Sequence, residues 1–187
     1  FVSTDSKKIL SFCKNQNIDN DYLRPKKLSG DKSQITEAIL HCLKWLSEKH
    51  NKNFDAVMML QPTTPYRNVK EINSIIKLFK TKNYDALATV SKAHNHPYHI
   101  FQIDNKNNWN FLLKKRISSL NKQDLPKSYF VENGHVYLFT TKFLKKYKKF
   151  IVKDKTILIK QNTRVIDIDY LDDFKVNEFR VKNKIFN

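Results

Sequence analysis

Phe54-Asp55-Ala56-Val57-Met58-Met59-Leu60, running straight into Gln61-Pro62-Thr63-Thr64-Pro65-Tyr66-Arg67, is the stretch on which the fold of this chain turns. The first seven residues carry little polarity, as expected of a strand covered on both faces. Two prolines stiffen the turn that follows. Asn68 and Glu71 then have capping-box spacing, with Asn in place of the usual Ser or Thr. Val69, Ile72, Ile75, Ile76 and Phe79 recur as one helical stripe. Strand, turn and helix in this order are the repeating unit of a layered α/β fold. In open sheets of that kind, ligands bind just beyond the carboxyl ends of strands. The turn is therefore either a ligand loop, with the Gln61 amide offering donors and acceptors, or a rigid βα connection.

The same alternation extends in both directions. Upstream, Phe1-Val2-Ser3-Thr4 reads as the end of a strand, and Asp5 can cap a helix through Ile9, Leu10 and Cys13. Asp31 or Ser33 can cap the next helix, whose stripe is Ile35, Ile39, Cys42, Leu43 and Leu46. Downstream, Tyr84–Ser91 reads as a strand, with short strand candidates at His99–Ile103 and Trp109–Leu112. Gly134 marks a turn before the strand His135–Thr140. A lysine-rich helix, strands near Thr156–Lys160 and Arg164–Ile168, and a helix from Leu171 complete the chain. No internal repeat or low-complexity linker interrupts it, so 187 residues are expected to form a single domain, 1–187.

Composition narrows the function classes. The chain has 35 Lys+Arg against 18 Asp+Glu, a formal charge of +17, yet 40% of its residues are hydrophobic. That apolar share excludes a wholly disordered polycation. No apolar run approaches the ~20 residues of a membrane-spanning helix. Of the cations, 30 are Lys and 5 are Arg, spread along the chain. That is a poor inventory for a nucleic-acid reader and a plausible field for recruiting an anionic small substrate. Cys13 and Cys42 both fall in apolar helical patterns, which favours buried free thiols in a reducing cytoplasm.

Three constellations carry candidate chemistry. In Arg164-Val165-Ile166-Asp167-Ile168-Asp169, apolar and acidic residues alternate, so a strand would aim Asp167 and Asp169 at one face. Paired carboxylates suit a hard cation such as Mg²⁺, which also accepts phosphate oxygens; the competing reading is an exposed strand end with Asp169 as a helix cap. Arg24 offers a bidentate anion clamp, near Gly30-Asp31-Lys32-Ser33 at a helix start. His94, His96 and His99 match no standard zinc spacing and read as a polar loop lining a pocket. No Gly-x-Ser-x-Gly elbow occurs.

Taken in order, these segments resemble the cytidylyltransferases that make CMP-sialic acid and related CMP-nonulosonates. The resemblance rests on Val2-Ser3-Thr4-Asp5, Leu23-Arg24-Pro25 with Gly30-Asp31, and Leu60 through Arg67. It continues in His96-Pro97, Glu132-Asn133-Gly134-His135-Val136-Tyr137 and Ile166-Asp167-Ile168-Asp169. It implies a Rossmann-like, three-layer nucleotidyltransferase fold with a mostly parallel mixed sheet, in a cytoplasmic homodimer. It implies a reaction of CTP with a nonulosonic acid that yields a CMP-sugar and pyrophosphate. By position, Asp167 and Asp169 match Mg²⁺-binding catalytic carboxylates, and Arg24, Asp31 and Ser33 match nucleotide contacts. Gln61, Thr63, Arg67, His96 and Gln123 fall where the acceptor sugar binds. Lys122 stands where relatives carry a catalytic Arg, keeping the charge without the planar fork.

The family opens with a strand and a basic loop that grips the triphosphate. No equivalent loop occurs in these residues, so the chain is expected to be a fragment of a longer protein. The stretch 113–149 is the expected dimerisation or sugar-pocket insertion. The alternatives are a non-catalytic nucleotide- or sugar-binding relative and, further off, a basic nucleic-acid module. Which nonulosonic acid is used, whether sialic, legionaminic or pseudaminic, is left open by the residues.

Overall fold

The computed structural model describes residues 1–18, 20–113, 128–162 and 165–185. Lys122 and Gln123 lie outside the described residues. Helices α1 (Lys7–Asn15), α2 (Ile35–His50), α3 (Val69–Thr81), α4 (Thr141–Tyr147) and α5 (Leu171–Lys182) alternate with strands. The strands are β1 (Ala56–Met59), β2 (Ala86–Lys92), β3 (Phe101–Ile103), β4 (Trp109–Phe111), β5 (Phe130–Thr140) and β6 (Thr156–Gln161). β3 and β4 form a two-stranded hairpin. The main sheet has the order β1-β5-β2-β6. β5 runs antiparallel to β1, Ala56 facing Thr140 and Met59 facing Tyr137. Hydrogen bonds from Thr140 N to Asp85 O and from Thr89 Oγ1 to Val136 O give β5 an antiparallel register with β2 as well. β1 and β2 therefore share a direction on either side of a reversed strand, and a parallel bridge joins Thr4 to Leu23. The sheet is mixed.

Several local expectations shift by a residue or two, each for a visible reason. The strand expected over 54–60 is confined to Ala56–Met59, and its four residues are half-buried rather than covered on both faces. In the sheet order β1 is paired along one edge. Ser6, not Asp5, caps α1, accepting from Ile9 N at 3.4 Å; Asp5 instead pairs with Arg24 at 3.4 Å. Gln34 stands at the start of α2 without a side-chain cap. Ser33 Oγ is occupied locally, accepting from Gly30 N at 3.1 Å and donating to Lys27 O at 3.3 Å. The strand expected at 164–168 is absent from 165–168; there the Ile168 N–H is given to the Thr63 carbonyl at 2.8 Å. Tyr170, not Asp169, precedes α5, and the Asp173 carboxylate turns back to accept from both Asp169 N and Tyr170 N.

The chain divides into two compact units. The first comprises Phe1–Met59, Ile75–Leu87 and Tyr137–Ile157. Its interior is apolar: Leu87, Phe139, Phe143 and Leu144 are buried, with Cys13 and Cys42 as free buried thiols. Burial lifts the Cys42 thiol to about 11, so it stays protonated and packs as a small hydrophobe. Tyr22 is almost fully buried; its hydroxyl meets His41 Nδ1 at 3.0 Å and its ring meets the edge of Trp45. Phe150 stacks on Phe139 at 5.4 Å between centroids.

The second unit comprises Leu60–Ser74, Ala88–Val136 and Leu158–Asn187. Its buried set is different in kind. Thr64, Thr89, Asn133, His135, Gln161 and Asn177 are all buried there, beside only a few apolar residues. Buried polar groups persist when they satisfy one another, and this contrast is the first structural pointer to a functional region.

Phe139 supplies the test of the apolar interior. It is fully buried on the central strand, and Phe139→Ala is expected to cost about 3–5 kcal/mol, mostly as an unfilled cavity. The loss is to be read as a lower midpoint in urea unfolding with an unchanged slope.

Candidate active site

The turn after β1 is held by one cation. Arg67 donates through Nε to the His135 carbonyl at 3.1 Å, and through one terminal nitrogen to the Gln61 carbonyl at 2.7 Å and Thr64 Oγ1 at 2.8 Å. Thr64 Oγ1 in turn donates to the Gly134 carbonyl at 3.1 Å. Charge-assisted bonds of this kind are the strong ones. Desolvation lowers the pKa of the Arg67 guanidinium, which nonetheless remains charged. The expected substrate contact Arg67 thus also serves the turn, with Nε and one terminal nitrogen bonded to protein oxygens.

Gly134 is the other half of this junction. Its φ of +64° belongs to the left-handed region, and an added Cβ would overlap Gln61 Oε1. The absence of a side chain is what lets the Gln61 amide lie across β5.

A polar chain continues from there. Asn133 accepts from Thr89 Oγ1 at 2.8 Å and donates to Ser91 Oγ at 2.9 Å and Gln161 Oε1 at 2.6 Å. Gln161 Nε2 donates to Glu71 Oε1 at 2.6 Å. Glu71 was expected to complete a capping box; its carboxylate faces Gln161 instead. The other oxygen, Oε2, lies 3.7 Å from His135 Nε2, outside hydrogen-bond reach.

Two cavities open on this network, each about 320 Å³. The first is walled by Ser91, Lys92, His94, Asn133 and Asp167, and it shares Gln161, Asn162 and Val165 with the second. The second is floored by Glu71 and His135. Asp167 is exposed, and so is Asp169. Among the described residues neither carboxylate is engaged in a hydrogen bond or ion pair. No cluster of three His, Cys, Asp or Glu residues suited to a metal occurs among the described residues. Exposed carboxylates are of the type that could hold Mg²⁺, which commonly takes one or two protein carboxylates and completes its shell with phosphate and water.

The sequence-predicted residues divide accordingly. Gln61, Thr63, Arg67, Asp167 and Asp169 belong to the second unit, where the Ile168 N–H bonds the Thr63 carbonyl. His96 belongs to the same unit. Its Nδ1 accepts from Tyr98 N at 3.2 Å, and its ring meets Tyr98 and Tyr129 at centroid distances of 4.8 and 4.7 Å. Arg24, Asp31 and Ser33 belong to the first unit. There Arg24 donates to Ser29 Oγ at 3.0 Å and pairs with Asp5, while Asp31 is exposed. Asn133, His135 and Gln161 were not singled out as site residues by sequence. Asn133 and His135 stand inside a matched segment, but Gln161 carries no local signal.

Comparison with known proteins places this geometry in context. No protein-family model matches the chain. It is 25% identical over 183 residues to post-translational flagellin modification protein B of Campylobacter coli, covering 98% of this chain and 77% of that protein. It is 27% identical to CMP-N,N'-diacetyllegionaminic acid synthase of Legionella pneumophila, covering 95% and 75%. The N-acylneuraminate cytidylyltransferase of Escherichia coli is 26% identical over 94% of this chain and 40% of its own length. Among solved structures, 4-diphosphocytidyl-2C-methyl-D-erythritol synthase from Anaerococcus prevotii covers 94% of this chain and is covered over 78% of its own, with a TM-score of 0.56 and 14% identity. A CMP:2-keto-3-deoxy-manno-octonic acid synthetase solved with CTP covers 97% and is covered over 80%, with a TM-score of 0.55 and 9% identity. These likenesses show the Rossmann-like nucleotidyltransferase fold.

Two outcomes test the junction. Gly134→Ala is expected to cost about 1–3 kcal/mol through the left-handed φ and to displace Gln61, visible as lost stability together with altered amide shifts for residues 61–64. His135 gives a pH signature. Burial holds its pKa below the ordinary 6.5, Glu71 opposes that shift and Arg67 adds to it. Below pH 6.5 the unfolded chain then binds the proton that the folded chain resists, so stability falls as pH drops toward the folded pKa. The thermal midpoint is expected to decline between pH 7.5 and 5.5, with a shallower decline in His135→Asn. Over nearly its whole length, the chain is similar, at 24–27% identity, to proteins named as a CMP-N,N'-diacetyllegionaminic acid synthase and as N-acylneuraminate and pseudaminic acid cytidylyltransferases.

Proposed function

We propose that this chain carries the acceptor-side half of a cytidylyltransferase site, joining CTP and a nonulosonic acid into a CMP-sugar with release of pyrophosphate. The observation that carries the reading is the hydrogen bond from Ile168 N to the Thr63 carbonyl at 2.8 Å. It ties the segment bearing Asp167 and Asp169 to the turn bearing Gln61. The named relatives supply the substrate class: diacetyllegionaminic acid in one case and N-acylneuraminate in another.

The chemistry needs an anionic triphosphate and a carboxylated acceptor to meet. Positioning and electrostatics do most of the work in such transfers. Gln61, pressed on Gly134, presents an amide that can both give and accept hydrogen bonds to the acceptor. Lys92 contributes a cation to the wall of the Asp167 cavity. Asp167 and Asp169 are the residues that would hold Mg²⁺, which when bound polarises the phosphate under attack. Arg24, Asp31 and Ser33 remain the proposed nucleotide contacts. Thr63 and His96 are proposed for the acceptor, and Lys122 and Gln123 for the sugar and phosphates. The positional match to the family is what supports these assignments, together with a cytoplasmic homodimer as the working form.

A second reading is a sugar- or nucleotide-binding relative without turnover, motivated by Lys122 in place of the family's Arg. The test is pyrophosphate release by the intact protein from CTP with a panel of nonulosonic acids. Turnover with at least one is expected. Asp167→Asn and Asp169→Asn should each lower kcat by about 10²-fold or more, in line with losing a preorganised charge aimed at the reacting phosphate, while leaving the urea midpoint nearly unchanged. Undiminished turnover in both variants removes the carboxylate assignment.

A further inference from the structure

The lysines of this chain are dispersed except in one place. Between positions 142 and 155, seven of fourteen residues are lysine, against 30 in 187 for the whole chain. One acid, Asp154, falls among them. A bias acting on the whole sequence does not account for so local an excess.

The structure turns that excess into one exposed surface. Phe143 and Leu144 of α4 are buried, and Phe150 packs on Tyr137 and Phe139 at centroid distances of 5.2 and 5.4 Å. With the apolar side chains turned to the core, Lys142, Lys145 and Lys146 on the helix and Lys148 and Lys149 after it are all exposed. Beyond them a turn is closed by bonds from Lys155 N to Val152 O at 3.1 Å and from Val152 N to Thr156 Oγ1 at 2.9 Å, with Lys153 and Lys155 exposed on it. The start of α4 is tied to the segment before β1: Thr141 N donates to the Asp55 carbonyl at 2.8 Å and Thr141 Oγ1 to the Phe54 carbonyl at 2.6 Å. All of these residues belong to the first unit, and none lines either cavity of the candidate site.

The cluster is also electrically unspent. Lys44, Lys49, Lys175 and Lys182 are each paired with a carboxylate. Among the described residues none of the seven is; Lys146 stands over the Tyr147 ring at 5.2 Å. A helix C-terminus favours cations in its last turn, which accounts for Lys145 and Lys146 and not for the five others. No arginine occurs between positions 142 and 155. Arginine is the residue that grips single phosphates and nucleic acid bidentately, whereas lysine acts as a point charge. A second copy of the chain fits badly, since a two-fold contact sets lysine against lysine. A plane of anionic headgroups matches such a diffuse field. Exposed apolar residues flank the lysines, Phe54 at 44% and Ile157 at 38%, and apolar contact beside a basic patch strengthens attachment to a lipid surface.

We infer that the face carried by residues 142–155 is a docking surface for an anionic lipid bilayer, which holds the protein peripherally on the headgroup plane. The attachment is reversible: no helix among the described residues is long and apolar enough to cross a membrane, and salt screens the attraction beyond about 10 Å. The inference is independent of the proposed reaction.

The experiment is sedimentation of the intact protein with vesicles of phosphatidylcholine alone and of equal parts phosphatidylcholine and phosphatidylglycerol. Three sets of substitutions are compared. Lys145→Gln, Lys146→Gln and Lys149→Gln together remove charge from α4 and its end. Lys153→Gln with Lys155→Gln removes it from the turn, and carries the test should the first set not fold. Lys7→Gln, Lys8→Gln and Lys14→Gln make the same change of net charge on α1, as the control. Thermal unfolding confirms folding, and transfer RNA is titrated in parallel. The expected result is binding to the phosphatidylglycerol vesicles only, lost at high salt. Its partition coefficient falls by about 10-fold or more in the α4 set, less in the turn pair and little in the α1 set. Absence of vesicle binding overturns the proposal. An equal loss in the α1 set also overturns it, since net charge and not this face is then responsible. RNA binding that is lost in the α4 set, without vesicle binding, reassigns the face to nucleic acid and overturns it as well.

Discussion

The site depends on a half-buried guanidinium. Arg67 joins the first residue of the turn after β1, the third residue beyond it and the backbone of β5 through three short bonds. No backbone ladder could do this, because the turn contains two prolines and has left the sheet. Arginine suits the task because its planar fork reaches several oxygens at once and keeps its charge when partly desolvated. Removing it would take the one charged donor from two carbonyls and a hydroxyl at once, which makes the clamp matter more than any single bond in it.

Around the clamp the protein uses polar burial where its other unit uses apolar burial. Thr89, Asn133, Gln161 and Glu71 form a continuous chain of short bonds. Such networks are directional, so each member fixes the next. Gln161, the last residue of β6, links Asn133 to Glu71 in this chain.

Sequence reasoning reached the α/β alternation, five of the helices, the two short strands β3 and β4 and the turn after β1. It did so because apolar periodicity and proline placement are local signals. Its errors were local as well. Asp5, Asp31 and Ser33 are good caps in isolation, but Asp5 is drawn to Arg24 and Ser33 to the Lys27 carbonyl. The alternation around Asp167 looks like a strand, and yet Ile168 gives its N–H to Thr63. Glu71 has capping-box spacing and spends its carboxylate on a residue ninety positions away. For Asp5, Ile168 and Glu71 the partner that prevailed is distant in sequence, whereas Ser33 is held by its own loop.

By itself the chain determined which residues could be strand, turn and helix, and that an amide turn and a pair of acidic residues were the groups to watch. Periodicity, prolines and the ordered motifs suffice for that, since they act within a few residues. Only the tertiary structure decided that Arg67 serves the turn, that Gly134 makes room for Gln61, and that His135 is buried with neither ring nitrogen hydrogen-bonded among the described residues. Those facts depend on which backbones meet across β1, β5 and β6, and no local pattern encodes burial between segments seventy residues apart.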